Sequence, residues 1–214
     1  QFRWNKGGAE NFRKFIAQVI TAKGHPIWTK INAFFHLINS SMFLNILLVS
    51  ILSVPLIYIK SAYPELSLAY DISTLFIIST IIFFTCYWFI HKYIYGGGLR
   101  SFLQYINRFI SFYTLVMGFS IHNSIAVLEG YVGKKSSFVR TPKFNKSKMK
   151  DNKYTIKKVS FYSFIEIALA LYFLFGMYAS FNIVAKVDFG LFLFHFLLFI
   201  GFSSISYQGL KQSI

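Results

Sequence analysis

Apolar runs of about 20 residues recur along this 214-residue chain, and they restrict the folds open to it. A helix of that length crosses the ~30 Å hydrocarbon core of a bilayer. Hydrophobic residues make up 55% of the sequence and charged residues only 14%, whereas soluble domains carry about 25% charged residues. The chain is therefore predicted to be an all-α integral membrane protein.

Four of these runs are predicted to be transmembrane helices, and the charge pattern orients them. The runs cover residues 34–59, 72–94, 161–184 and 189–207. Both the N-terminal stretch and residues 129–160 are rich in Lys and Arg, which places them on the cytoplasmic side by the positive-inside rule. We therefore expect both termini in the cytoplasm and the chain in the plasma (inner) membrane.

The same rule decides how to interpret residues 102–128. This stretch is apolar enough to span but carries several polar side chains. Because an even number of crossings must separate the two basic regions, it is predicted to be an interfacial or re-entrant helix. The alternative is a third full crossing, which would place the basic residues 129–160 on the outer face.

Glycines and a helical apolar pattern organise the N-terminal region. Gly7 and Gly8 are expected to interrupt the chain. After them, apolar residues recur at the spacing of one helix face: Phe12, Phe15, Ile16, Val19 and Ile20. Such a helix is expected to lie in the membrane plane. Residues 1–30 then form one region and residues 31–214 a transmembrane domain. Further along, Tyr95 and the three glycines after it predict a turn.

The formal net charge of +15 at pH 7 does not indicate a nucleic-acid partner. The basic residues flank the apolar runs, so phosphate groups such as those of lipid headgroups are the expected partner. The single cysteine, Cys86, cannot form an internal disulfide, and the five histidines lack metal-ligand spacing. No metal site is predicted in this chain.

The first residues, Gln1-Phe2-Arg3-Trp4, combine side chains suited to sugar transfer. Arginine presents a forked, permanently charged donor set to phosphate oxygens. Tryptophan offers an apolar plate on which a pyranose ring stacks. The tetrapeptide resembles the Q-x-x-R-W motif of processive family 2 glycosyltransferases, which include cellulose, hyaluronan and mannan synthase-like enzymes. The resemblance implies diphosphate contact for Arg3, an acceptor platform for Trp4 and a polar active-site contact for Gln1. Alone, the tetrapeptide is better explained as an aromatic and basic anchor at the membrane surface.

A second motif lies in the basic region. Residues 138–143 resemble the F-x-V-T-x-K gating loop of cellulose synthases: Phe138, Thr141 and Lys143 match, and Arg140 replaces the valine. The resemblance implies a cytoplasmic gating loop within residues 129–160 that closes over a nucleotide-sugar. Lys143 and Arg140 would face the diphosphate, and Thr141 a hydroxyl or phosphate. The alternative is a solvated basic loop that binds acidic lipid.

The resemblance also implies what this chain lacks. The sequence has no D-x-D to hold a metal and no acidic motif for a general base. A chain that begins with Gln is expected to be a fragment, and the catalytic carboxylates and a divalent Mg or Mn ion are expected in a separate cytoplasmic domain. Residues 31–214 would then form a channel domain, with a glycan or lipid as acceptor. The rival interpretation is a small, non-enzymatic membrane transporter or scaffold with basic loops.

Overall fold

The structure, a computed structural model, describes residues 1–74, 76–135, 161–183 and 188–211. Throughout those residues the regular elements are helices, which confirms the all-α prediction. The helices are α1 (Phe2–Thr21), α2 (Ile27–Ile38), α3 (Met42–Ala62), α4 (Ser67–Thr74), α5 (Phe76–Tyr95), α6 (Leu99–Gly118), α7 (Ser120–Val132), α8 (Phe161–Asn182) and α9 (Phe189–Lys211). Short 3₁₀ turns, Asn39–Ser41 and Pro64–Leu66, precede α3 and α4.

Three segments of the described chain are long and apolar enough to cross a membrane. They are Ile27–Ala62, which contains α2 and α3, and the helices α8 and α9. These coincide with the first, third and fourth predicted spans. Helices α6 and α7 together make a further candidate if they are one broken span; they cover the predicted segment 102–128 and are separated at Phe119. Helix α3 alone has 21 residues, which at ~1.5 Å per residue is ~31 Å and enough to cross the hydrocarbon core.

Helix α1 runs without a break through Gly7 and Gly8, so the interruption predicted there is wrong. Glycine inside a helix costs ~1 kcal/mol relative to alanine, and here Gly8 has a packing reason to be present. A Cβ atom at Gly8 would collide with the hydroxyl of Ser40. Helix α1 ends at Thr21, three residues before Gly24, whose φ of 80° no ordinary side chain favours.

The described chain divides into two compact units. The first unit comprises residues 1–49, 119–166 and 205–214. Within it, α1 packs against α2 and α7. The ring of Phe12 on α1 meets those of Phe34 and Tyr131 edge-on, with centroids 6.1 and 5.6 Å apart. A hydroxyl of α7, Ser124 Oγ, donates to the carbonyl oxygen of Phe43 at 2.9 Å. Ring edges and hydroxyl bonds therefore join helices that are distant in sequence.

The second unit comprises residues 50–118 and 167–204. Its helices approach closely at glycines, as membrane helices do. A Cβ at Gly176 would stand 2.8 Å from the imidazole of His195, and one at Gly201 would stand 2.5 Å from the carbonyl oxygen of Thr114. His195 is fully buried, and its Nε2 lies 2.8 Å from Ser53 Oγ. The imidazole thus links α9 to α3 by a buried polar contact.

Candidate functional site

Three of the residues predicted to bind diphosphate and sugar, Gln1, Arg3 and Trp4, lie at the start of α1. Gln1 is the N-cap residue, and its carbonyl oxygen accepts a hydrogen bond from the amide of Asn5 at 3.0 Å. Arg3 and Trp4 follow on the first turn and are exposed, the indole with 82% of its surface accessible. One residue separates Gln1 from Arg3, where Q-x-x-R-W has two. The resemblance at this end therefore depends on Arg3 and Trp4.

Helix α1 is held against α7 at a point where the backbones approach closely. A Cβ at Gly130 on α7 would lie 2.6 Å from the carbonyl oxygen of Lys6 and 2.7 Å from the Cβ of Ala9. Ala9 is buried here. The two helices come this close only because Gly130 has no side chain. We call this contact, with the ion pairs described next, the α1–α7 junction.

One carboxylate joins two lysines at the α1–α7 junction. Lys6 Nζ donates to Glu129 Oε2 at 2.9 Å, and Lys134 Nζ donates to Glu129 Oε1 at 2.7 Å. The Lys6 side chain is only 6% exposed and that of Glu129 19%, so this pair is largely withdrawn from water. Hydrogen bonds from Lys134 and then Lys6 outweigh desolvation and hold the pKa of Glu129 below its ordinary value of 4.5.

The end of α7 leads directly into the basic region. Gly133 adopts φ 77°, and its amide donates to the carbonyl oxygens of Glu129 and Gly130, which closes the last turn of the helix. The chain then continues through Lys134. The predicted binding residues that follow, Phe138, Arg140, Thr141 and Lys143, lie outside the described residues, as does most of the predicted loop 129–160.

A second ionisable pair joins α7 to α8 within the first unit. His122 Nε2 lies 2.7 Å from Glu166 Oε1, and the Glu166 side chain is 1% exposed. The ring of Tyr162 meets that of His122 at a centroid distance of 5.5 Å. His122 is therefore hydrogen-bonded, and it supplies the partner that a buried carboxyl group needs.

Sequence reasoning did not single out Lys6, Glu129 or Gly130 as parts of one site. The signal that was present is the scarcity of acids: with seven Asp and Glu against 22 Lys and Arg, an acid among lysines is expected to be paired. That the partner of Glu129 is Lys6, 123 positions away in the sequence, is known only from the fold. Among the described residues, no three His, Cys, Asp or Glu side chains gather as metal ligands would.

Comparison with protein-family models, with curated proteins and with solved structures gave no match for this chain.

Proposed function

We propose that this chain is the membrane part of a glycosyltransferase that moves a hexosyl unit from a nucleotide-sugar to a growing polysaccharide or a glycolipid. The observation that supports it most is the α1–α7 junction. It holds the helix that presents Arg3 and Trp4 against the helix that leads into the basic region with Phe138–Lys143. Two segments that resemble glycosyltransferase motifs, far apart in sequence, thus start from one packed contact.

The chain lengths fit this arrangement. Lys6 stands three residues after Arg3, a rise of ~4.5 Å along a helix. Lys134 shares Glu129 with Lys6 and stands four residues before Phe138, a reach of up to ~14 Å for extended chain. Three residues of chain therefore separate Lys134 from Phe138, and two separate Arg3 from Lys6.

The proposed chemistry assigns binding and positioning to this chain. In the transfer, the bond from the anomeric carbon to the diphosphate oxygen breaks, and an acceptor hydroxyl forms the new bond to that carbon. Arg3, Arg140 and Lys143 offset the charge on the departing diphosphate. Trp4 stacks on the terminal acceptor sugar and holds its hydroxyl in line. The general base and the divalent metal belong to a cytoplasmic domain outside this sequence.

We also propose how the helices are arranged in the membrane. Residues 72–94, most of which lie in α5, complete a set of four spans, and α1 lies at the cytoplasmic surface. Phe15 and Ile20 on α1 are exposed, with 45% and 59% of their surfaces accessible, an apolar surface that a membrane can cover. The segment 102–128 enters and leaves on the cytoplasmic side as a re-entrant segment, and the spans form the path for the product.

Two exposed tryptophans make a matched test. Trp4 on α1 and Trp28 on α2 are 82% and 71% exposed, but only Trp4 belongs to the motif. Trp4→Ala and Trp28→Ala are made in the complete gene product, and membranes are supplied with radiolabelled UDP- and GDP-hexoses. We expect Trp4→Ala to lower incorporation into polymer or lipid by ~100-fold, since misplacing an acceptor by ~1 Å costs that much, while Trp28→Ala remains near wild type.

The outcomes separate the proposal from its rival. Near-normal transfer by a well-expressed Trp4→Ala protein would make Trp4 a membrane anchor only. A complete gene product that transfers no sugar from any donor would leave the transporter or scaffold interpretation in place.

A further inference from the structure

The second unit contains a cleft of about 560 Å³ between α5 and α6. The turn between these helices, with Gly96 at φ 84° and Gly98 at φ 100°, folds α6 back along α5. Ser101 Oγ donates to the carbonyl oxygen of Gly96 at 2.7 Å and fixes the turn. The walls are mostly aromatic and aliphatic, and none of the described residues that line the cleft carries a carboxylate.

Two nitrogen-bearing side chains stand in these apolar walls. Arg108 of α6 places its guanidinium 4.5 Å from the ring centre of Tyr95, and the described residues that line the cleft give it no acidic neighbour. His91 of α5 is 7% exposed, and among the described residues its Nε2 has no hydrogen-bond partner. Buried polar atoms nearly always have a hydrogen-bond partner, so we expect a bound molecule to supply one for this nitrogen. Arg108 and His91 thus offer positive charge and hydrogen bonding inside an apolar cleft.

The cleft also has the surroundings of a membrane surface. It extends along α5 from Phe83 to Tyr95, and this carboxyl-terminal part of the helix carries Lys92 and the 92% exposed Tyr93. Tyr and Lys at the end of an apolar helix are typical of the headgroup level of a bilayer. An occupant that fits has an anionic oxygen group for Arg108 and an apolar chain for the aromatic walls.

We propose that this cleft binds an anionic phospholipid, with the phosphate at Arg108 and His91 and an acyl chain along Ile90, Phe109 and Phe112. Charge complementarity selects an anionic headgroup, because a guanidinium donates two hydrogen bonds to phosphate oxygens and no acidic side chain among the described lining residues competes for it. The aromatic faces favour an acyl chain over a free anion. This inference does not depend on the proposed glycosyl transfer.

Trp88 provides a reporter inside the chain. Its ring stacks on that of His91 at a centroid distance of 6.0 Å. The chain has three tryptophans, so Trp4→Phe together with Trp28→Phe leaves Trp88 as the only one. The experiment places this chain in phosphatidylcholine vesicles and follows Trp88 fluorescence as phosphatidylglycerol with brominated acyl chains, a quencher, is added.

We expect half-maximal quenching at a roughly tenfold lower mole fraction of brominated phosphatidylglycerol than of brominated phosphatidylcholine. Arg108→Gln removes the charge and should abolish this preference. Arg100→Gln is the matched control, because Arg100 lies on the same helix but outside the cleft, and it should keep the preference. Circular dichroism and gel filtration check that each variant is folded.

Competition identifies the source of the anion. Unbrominated phosphatidylglycerol should restore the fluorescence and inorganic phosphate should not. Equal quenching by the two brominated lipids, or loss of the preference in Arg100→Gln as well, would overturn the proposal. Reversal by inorganic phosphate would mean a free-anion site, and reversal by a glucose oligomer a glycan site; either result would also overturn it.

Discussion

Glu129 is one carboxylate on which two lysines depend. The ammonium group of Lys6 is almost fully covered by protein, and a buried charge without a partner is strongly destabilising. Lys134 is two-thirds exposed and could turn to water. The Lys6–Glu129 bond is therefore the energetically important half of this cluster.

Replacing Glu129 by glutamine should lower the free energy of unfolding by about 2–3 kcal/mol, because Lys6 keeps its charge but loses its counter-charge. Denaturant unfolding of the detergent-solubilised chain measures the change. Glu65→Gln is the control, since Glu65 is exposed in a 3₁₀ turn, and it should alter the value by less than ~0.5 kcal/mol. Equal effects from the two substitutions would contradict the importance of the Lys6 contact.

Replacing Gly7 of α1 and Gly130 of α7 by alanine should change the free energy of unfolding in opposite directions. At Gly130 the new Cβ would lie 2.6 Å from the backbone carbonyl of Lys6, so α1 must shift, at a cost of ~1–3 kcal/mol. At Gly7 nothing lies within 4 Å of the new Cβ, and alanine should stabilise α1 by ~0.5–1 kcal/mol. The same unfolding experiment measures both. A stabilising Gly130→Ala would disprove the close approach of α1 and α7.

At the level of elements, the sequence predicted helices well and their contacts poorly. Apolar runs located α3, α8 and α9. The error at Gly7-Gly8 arose because glycine ends a helix in isolation, whereas here Ser40 of a distant segment needs the space. Contacts of this kind depend on which helices pack against each other, and a local sequence pattern does not predict that pairing.

The attachment of α1 to α7 should weaken in acid. The folded-state pKa of Glu129 is depressed, so its contribution is complete above pH 4.5 and is lost as the pH falls through the folded-state value. Glu129→Gln does not titrate at this position. We therefore expect the difference in thermal midpoint between wild type and Glu129→Gln to be constant from pH 7 to pH 5 and to shrink below pH 4.5.

That experiment is a comparison of two proteins at each pH, so the titration of other groups cancels to first order. A difference that stays the same at pH 3 and pH 7 would show that the bonds to Lys6 and Lys134 add no stability.

For the whole molecule, the distribution of charged residues is the main basis for the predicted orientation in the membrane. The net charge of +15 and the placement of lysines predicted an orientation in the membrane, and the three candidate spans found in the described chain agree with a membrane protein. The two segments that resemble transferase motifs came from the sequence. The α1–α7 junction came from the structure, because it depends on a bond between residues 123 positions apart.

Orientation is tested by cysteine labelling in cells. The native Cys86 is exposed, so it is first replaced by serine, and then Ala62→Cys or Lys148→Cys is introduced. A membrane-impermeant maleimide applied from outside should label position 62 and leave position 148 unlabelled until the membrane is opened. Labelling at 148 with none at 62 would reverse the proposed topology.

The ion pairs between distant helices share an order in time. In each, the basic partner is translated first: Lys6 precedes Glu129 by 123 residues, Lys60 precedes Asp188 by 128, and His122 precedes Glu166 by 44. At ~5–20 residues per second, the carboxyl group of Glu166 emerges roughly 2–9 s after its imidazole. An acid entering a membrane alone is costly, whereas one that enters beside a waiting base can form its bond as the helix inserts. In each of these described pairs the base is therefore made first, and the carboxyl group of Glu166, which lies in the candidate span α8, meets a partner that is already in place.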